Sequence, residues 1–167
     1  NSPRLPVRLI EENDEFKIET TPWGATMRNF KYKTTTPESL DYSITTPEKW
    51  LEIKPRMAPS RDRIPWGYLK QNYKRWRENG YWITGDLWFG FDITHSGMVG
   101  TENMLIAMLD EPEWVMDMFD TELNLCLSNL EQVWDAGYTF DEVMWWDDMG
   151  YKGTQLFSMK TYRELLK

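Results

Sequence analysis

Hydrophobic and polar positions follow two different patterns along this chain. In the first 45 residues, short β-prone runs separated by turn residues predict strands at 7–11, 16–21 and 25–33. After residue 46, apolar positions recur every three or four residues, which predicts amphipathic helices at 47–54, 66–79, 101–109 and 112–136. Thr46 before Pro47 forms a typical helix start, and Gly80 and Gly137 form typical helix ends.

Two further strands are predicted within the helical part, at 81–84 and 140–146. The order strand, helices, strand, helix is typical of an α/β fold with a parallel sheet. We therefore expect one domain over 1–167, with a β-rich segment at 1–45 and βα units at 46–167. Residues 85–97 are predicted to be a long loop, and loops of this length inside compact domains are often functional.

Charge and composition argue against nucleic acid and membrane as binding partners of this chain. The chain has 167 residues, a formal net charge of −8 and a pI near 4.8, so binding to nucleic acid is disfavoured. No apolar run approaches the roughly 18 residues of a membrane span, and no signal peptide is visible. Cys126 is the only cysteine and lies on the apolar stripe of the long helix, so we expect a buried thiol in a cytoplasmic protein. We expect the chain to act on a small-molecule substrate.

The strand at 140–146 ends at two adjacent carboxylates, Asp147 and Asp148, which precede a glycine-containing loop and a helix that Ser158 opens. The carboxyl ends of strands in β/α folds are where catalytic groups lie. We therefore predict a catalytic Asp147. Because side chains alternate along a strand, only one of the two carboxylates is expected to face the site. The structural alternative is an aspartate that binds loop amides near Gly150.

Two further residues are candidates for catalysis. Asp86 follows the strand at 81–84, and His95 is the only side chain whose ordinary pKa suits acid–base chemistry at neutral pH. The alternative for both residues is a purely structural role. We also predict a wall of aromatic side chains for substrate binding, and the alternative for these side chains is a place in the core. The candidate substrate-binding residues are Trp88, Phe91, Trp146, Asp148 and Gln155. No His, Cys or carboxylate spacing indicates a metal site, and no cofactor is predicted to be held within this chain.

Three segments also resemble one known family. Residues 85–88 (Gly-Asp-Leu-Trp) resemble a glycine-x-proline-tryptophan segment that follows a barrel strand, and residues 109–113 (Leu-Asp-Glu-Pro-Glu) resemble the start of a long helix. Residues 147–164, with Asp-Asp-Met-Gly, Gln-Leu-Phe-Ser and Tyr-Arg-Glu, resemble a strand–glycine-loop–helix signature. These segments resemble the uroporphyrinogen decarboxylase superfamily. The resemblance implies a (β/α)₈ barrel, and because it covers about half of one, we expect a partial TIM-like barrel.

The resemblance implies a decarboxylase-type lyase of porphyrin metabolism, acting on a tetrapyrrole or a smaller organic acid. Asp147 stands where the haem-pathway enzymes have a serine, Ile93 stands near their tyrosine, and no arginine-rich motif is present. The carboxylates near the predicted rim would repel a substrate with many acid groups; they belong to Asp86, Asp92, Asp147 and Asp148. The alternative within the superfamily is a corrinoid-dependent methyltransferase, for which zinc and a corrinoid would be required.

Two other expectations follow because the resemblance covers only about half of a barrel. An interaction or sensory fragment without catalytic activity is the alternative from another class of function. Half a barrel would leave sheet edges open, so we also expect either a homodimer or a requirement for the remaining half of the barrel.

Overall fold

The computed structural model describes all residues from 1 to 167. The N-terminal part is a four-stranded antiparallel sheet in the order β1-β2-β3-β4. Its strands are β1 (Leu9–Glu12), β2 (Phe16–Thr20), β3 (Ala25–Phe30) and β4 (Glu38–Tyr42). The three predicted N-terminal strands are confirmed. The fourth was not predicted, because β4 is a mostly exposed edge strand without a clear apolar alternation.

Six α-helices make up most of the remaining chain. They are α1 (Pro47–Ile53), α2 (Trp66–Glu78), α3 (Phe91–Ile93), α4 (Thr101–Asp110), α5 (Pro112–Asp135) and α6 (Met159–Leu165). A π-helical turn over Thr94–Val99 joins α3 to α4. The predicted helix starts are confirmed, since the side chain of Thr46 accepts the Lys49 N–H and that of Ser158 accepts the Thr161 N–H.

The two remaining sheets are small. Strands β5 (Thr84–Trp88) and β6 (Glu142–Trp146) pair in parallel, with Asp86 opposite Met144 and Trp88 opposite Trp146. Strands β7 (Gly150–Tyr151) and β8 (Thr154–Gln155) form a short antiparallel hairpin. The chain between β5 and β6 contains α3, α4 and α5, as a parallel crossover requires.

The prediction of a partial TIM-like barrel is wrong. A barrel is built from successive parallel strands that lie side by side, whereas the only parallel contact in this chain is the β5–β6 pair. The largest sheet is antiparallel and comes from the first 45 residues, whose short turns bring consecutive strands together. The chain is therefore a mixed α/β protein.

The prediction of a long loop at 85–97 is also wrong, because these residues form most of β5, all of α3 and part of the π-helical turn. The strand predicted at 81–84 is found at 84–88 instead. Residues 84–88 form β5, because pairing with β6 supplies hydrogen bonds to a stretch whose Gly85 and Asp86 are poor strand formers on their own. All five residues of β6 are exposed, although parallel strands are usually covered on both faces. The predicted homodimer, which would cover this strand, stays a prediction.

The main core lies between α4, α5 and the segments that pack on them. The methionines fill irregular gaps between the helices. The largest fully buried members of this core are Trp50, Phe91, Ile44, Met57, Met98, Met104 and Met118. Cys126 is buried on α5, as predicted. No helix in the chain combines the length and the apolar character that crossing a bilayer requires.

The two faces of α5 should differ in their contribution to stability. Leu125 is 1% exposed in the core, whereas Leu127, on the same helix, is 45% exposed. We expect Leu125→Ala to lower the free energy of unfolding by about 2–5 kcal/mol, because it leaves a cavity. The matched control Leu127→Ala should change it by less than about 1 kcal/mol. Urea denaturation followed by circular dichroism measures both, and equal losses would contradict this placement of the core.

Candidate functional site

The carboxyl ends of β5 and β6 open side by side into a pocket of about 410 Å³. We call it the acidic pocket, and it is lined by Asp86, Trp88, Asp92, Trp146, Asp147 and Asp148. The parallel register places Trp88 directly beside Trp146. The pocket thus brings together five of the residues that the sequence analysis selected, and it adds Asp92.

Asp147 is held in the pocket by contacts with the backbone of the segment that follows β5. Its Oδ1 accepts the backbone N–H of Asp92 at 2.8 Å. Its Oδ2 lies close to Gly90, where a Cβ would come within 2.8 Å of that oxygen and where φ is +97°. The Gly90 backbone can take this left-handed conformation at so close an approach only because glycine has no side chain. Asp147 therefore binds a backbone amide, but that of Asp92 in α3 rather than a loop amide near Gly150.

The environment of Asp147 favours its protonated form. Burial raises the pKa of Asp147 to about 6, and the nearby charges of Asp92 and Asp148 act in the same direction. The hydrogen bond from the Asp92 amide opposes this rise. A carboxyl group with a pKa near the working pH can both donate and accept a proton, which is what a general acid–base group requires.

Asp92 connects the acidic pocket to the histidine. Its Oδ2 accepts the indole N–H of Trp88 at 2.9 Å, and its Oδ1 lies 3.7 Å from Nε2 of His95. His95 stacks on Phe91 with ring centroids 4.5 Å apart, and its Nδ1 is 2.9 Å from the Thr101 hydroxyl. Burial lowers the pKa of His95, so the imidazole is neutral at pH 7. His95 does not line the pocket itself and contacts it through Asp92.

Two of the predicted substrate-binding residues lie elsewhere. Phe91 is fully buried and packs against Phe157, with ring centroids 4.7 Å apart, so its place is in the core. Gln155 is exposed on β8, where it pairs with Gly150 in the hairpin. Neither residue lines the acidic pocket.

One buried acid was missed by the sequence analysis. Glu122 on α5 is only 2% exposed, and its Oε2 accepts the N–H of Gly90 at 3.0 Å. Burial raises its pKa to about 8. Its position was visible in the sequence, because Glu122 lies on the same helical stripe as Val115, Phe119 and Cys126, all of which are buried. A carboxylate among the apolar positions of the buried face of α5 is the sequence signal that could have identified Glu122.

The side chains of the chain do not assemble a metal centre. No group of three or more His, Cys, Asp and Glu side chains is arranged so that it could hold a metal ion. Zinc, which the methyltransferase alternative requires, would thus need ligands that these residues do not supply.

No protein-family model matches this chain, and neither a curated protein nor a solved structure is significantly similar to it. The resemblance to the uroporphyrinogen decarboxylase superfamily therefore stays a hypothesis based on three sequence segments. The geometry of the acidic pocket is the second basis for assigning a function.

The raised pKa of Asp147 should make stability depend on pH. A carboxyl whose pKa is higher in the folded state contributes most below its unfolded value of about 4, and this contribution is lost as pH rises through about 6. Asp147→Asn cannot ionise and keeps an oxygen that accepts the Asp92 amide. We therefore expect its melting temperature, relative to wild type, to be higher at pH 7 than at pH 4.

Differential scanning fluorimetry across this pH range measures the effect. Asp135→Asn is the matched control, because Asp135 is exposed at the end of α5, away from the pocket. A difference between Asp147→Asn and wild type that stays constant from pH 4 to pH 7 would show that Asp147 ionises normally in the folded chain.

Proposed function

We propose that the acidic pocket is the substrate site of an enzyme similar to uroporphyrinogen decarboxylases, with Asp147 as its acid–base group. The observation that carries the proposal is the convergence of carboxylates from two distant segments at the ends of β5 and β6. Four of the six lining residues belong to segments that resemble the superfamily, namely Asp86, Trp88, Asp147 and Asp148. The proposal thus depends on these residues and not on a barrel.

The chemistry suits a decarboxylation that ends in proton transfer. When the bond between a substrate carbon and its carboxylate breaks, carbon dioxide leaves and the electron pair remains on the carbon. That carbon must then take a proton, and protonated Asp147 is a donor of suitable pKa in the pocket. The carboxylates of Asp86 and Asp148 are acceptors for N–H or O–H groups that orient the substrate.

Charge restricts the substrate class. The lining contains four aspartates and no lysine or arginine. Carboxylates at close range repel each other, so a substrate with many acid groups is disfavoured. We propose a smaller organic acid, or a tetrapyrrole with few carboxylates, that also has hydrogen-bond donors. The faces of Trp88 and Trp146 provide a wall for a flat apolar part of such a molecule.

The second candidate is binding of a corrinoid, as in the methyltransferases of the same superfamily. The observation that favours it is the combination of two tryptophans with negative charge, which suits a flat and partly cationic ligand. Hydroxocobalamin is therefore the appropriate competing probe.

Binding measurements can test both candidates. In isothermal titration calorimetry, we expect coproporphyrin to bind more tightly than uroporphyrin, which has more carboxylates. Asp148→Asn should strengthen uroporphyrin binding by about fivefold, since it removes one repulsion of about 1 kcal/mol. Trp88→Ala should weaken both porphyrins by removing an aromatic face.

Trp134→Ala is the matched control, because Trp134 is exposed on α5 and does not line the pocket. Preference for hydroxocobalamin over both porphyrins would favour the corrinoid candidate. If none of the three probes binds, or if Trp134→Ala weakens binding as much as Trp88→Ala, the acidic pocket is not a site for this class of substrate. The interaction or sensory alternative would then be favoured.

A further inference from the structure

The turn that leads from β5 into α3 is held by two carboxyl groups. The N–H of Gly90 donates to Oε2 of Glu122 at 3.0 Å. The N–H of Asp92, in the first turn of α3, donates to Oδ1 of Asp147 at 2.8 Å. Gly90 is buried and has a φ of +97°, so the turn has a conformation that few other residues adopt. The two carboxyl groups therefore determine where this turn lies.

The Thr94 hydroxyl lies between two acceptors, the Gly90 carbonyl and Oε1 of Glu122, and a protonated Glu122 allows both contacts to be hydrogen bonds. The Thr94 hydroxyl lies 2.6 Å from the Gly90 carbonyl oxygen and 2.9 Å from Oε1 of Glu122. A hydroxyl has a single proton, and the shorter contact to the carbonyl takes it. The contact to Oε1 is then a hydrogen bond only if the carboxylic acid of Glu122 donates its own proton to Thr94. The resulting ring runs through Gly90, Glu122 and Thr94 and leaves no buried polar atom unpaired.

The surroundings of Glu122 agree with a neutral acid. Burial raises its pKa to about 8, and the charge of Asp147 acts in the same direction. The hydrogen bond from the Gly90 N–H and the positive charge of the Asn1 amino group oppose this rise. The pKa of that amino group is itself lowered by burial. Cys126, one turn further along α5, has a pKa that burial raises to about 11, so its thiol is uncharged and does not offset the effect.

We infer that Glu122 is a positioning residue, a neutral carboxylic acid that locks the Gly90 turn and so holds Asp92 and Asp147 in the acidic pocket. Ionisation removes the proton that Glu122 donates to Thr94 and adds a buried negative charge near Asp147. If the Thr94 hydroxyl then donates to the charged Oε1, the Gly90 carbonyl keeps only its hydrogen bond from the Thr94 backbone N–H at 3.2 Å, and the turn loosens. Asp92 moves with the turn, and its hydrogen bond to the Trp88 indole weakens. A role of Glu122 in catalysis rests on the proposed function. The hydrogen-bonding arrangement of Glu122, Gly90 and Thr94 is independent of that function.

Nuclear magnetic resonance tests the inference without any ligand. In protein labelled with ¹³C-glutamate, we expect the Glu122 carboxyl signal to stay in the protonated position until about pH 8. The indole N–H signal of Trp88, assigned with Trp88→Phe, should shift over the same pH range. Glu122→Gln should abolish this transition and keep the wild-type signal of neutral pH. Its amide oxygen accepts the Gly90 N–H, and its amide N–H donates to Thr94.

A pair of threonine variants controls for a purely structural effect. Thr94→Val removes the hydroxyl of the ring and should shift the Trp88 signal at every pH. Thr121→Val removes a hydroxyl on α5 that donates only to the Asp117 carbonyl, and it should leave that signal unchanged. His95 and the Asn1 amino group also titrate near the pocket, but their transitions should persist in Glu122→Gln.

Two results would overturn the inference. One is a Glu122 titration with a midpoint near its ordinary value of about 4.5. The other is a Trp88 transition at the midpoint of the Glu122 carboxyl signal that is as large in Glu122→Gln as in wild type. Failure of the porphyrin and corrinoid probes to bind would count only against the proposed function. These two kinds of failure are therefore distinguishable.

Discussion

The parallel pairing of β5 with β6 is the constraint on which the acidic pocket depends. Parallel strands place their carboxyl ends at the same edge, so Asp86 and Asp148 line one pocket although they are far apart in the chain. The pairing also requires a crossover, and here the crossover is helical. Its longest helix, α5, packs in the core and carries Glu122 to the turn that follows β5. The helical crossover that allows β5 and β6 to pair in parallel thus also holds the turn at the carboxyl end of β5, through Glu122.

Burial and crowding of like charges give the site its chemical character. Asp147 and Glu122 both lie close to Gly90, and both have pKa values raised by burial. No basic side chain lines the pocket to offset this charge. A carboxyl with a pKa of about 6 beside tryptophan faces is suited to proton transfer, and the excess negative charge would repel a strongly acidic ligand. Both properties follow from the same arrangement of carboxylates.

Local signals in the sequence predicted much of the secondary structure. Thr46 and Pro47 marked the start of α1, and the three- to four-residue apolar repeat marked α5, because capping and amphipathicity involve residues close in sequence. The partial barrel was wrong for the opposite reason, since strand order depends on distant partners. Strand β4 and the bounds of β5 were missed because each strand is formed by pairing with a neighbour.

The sequence by itself determined the kinds of groups at the site: carboxylates directly after an apolar strand, tryptophans beside them, and an acidic chain with one buried thiol. Only the tertiary structure decided which of these groups meet. It placed Asp92 between Trp88 and His95, moved Phe91 and Gln155 away from the pocket, and brought Glu122 under Gly90. The physical reason is that local propensities act over a few residues, whereas the burial that changes a carboxyl group's pKa comes from segments far apart in the chain.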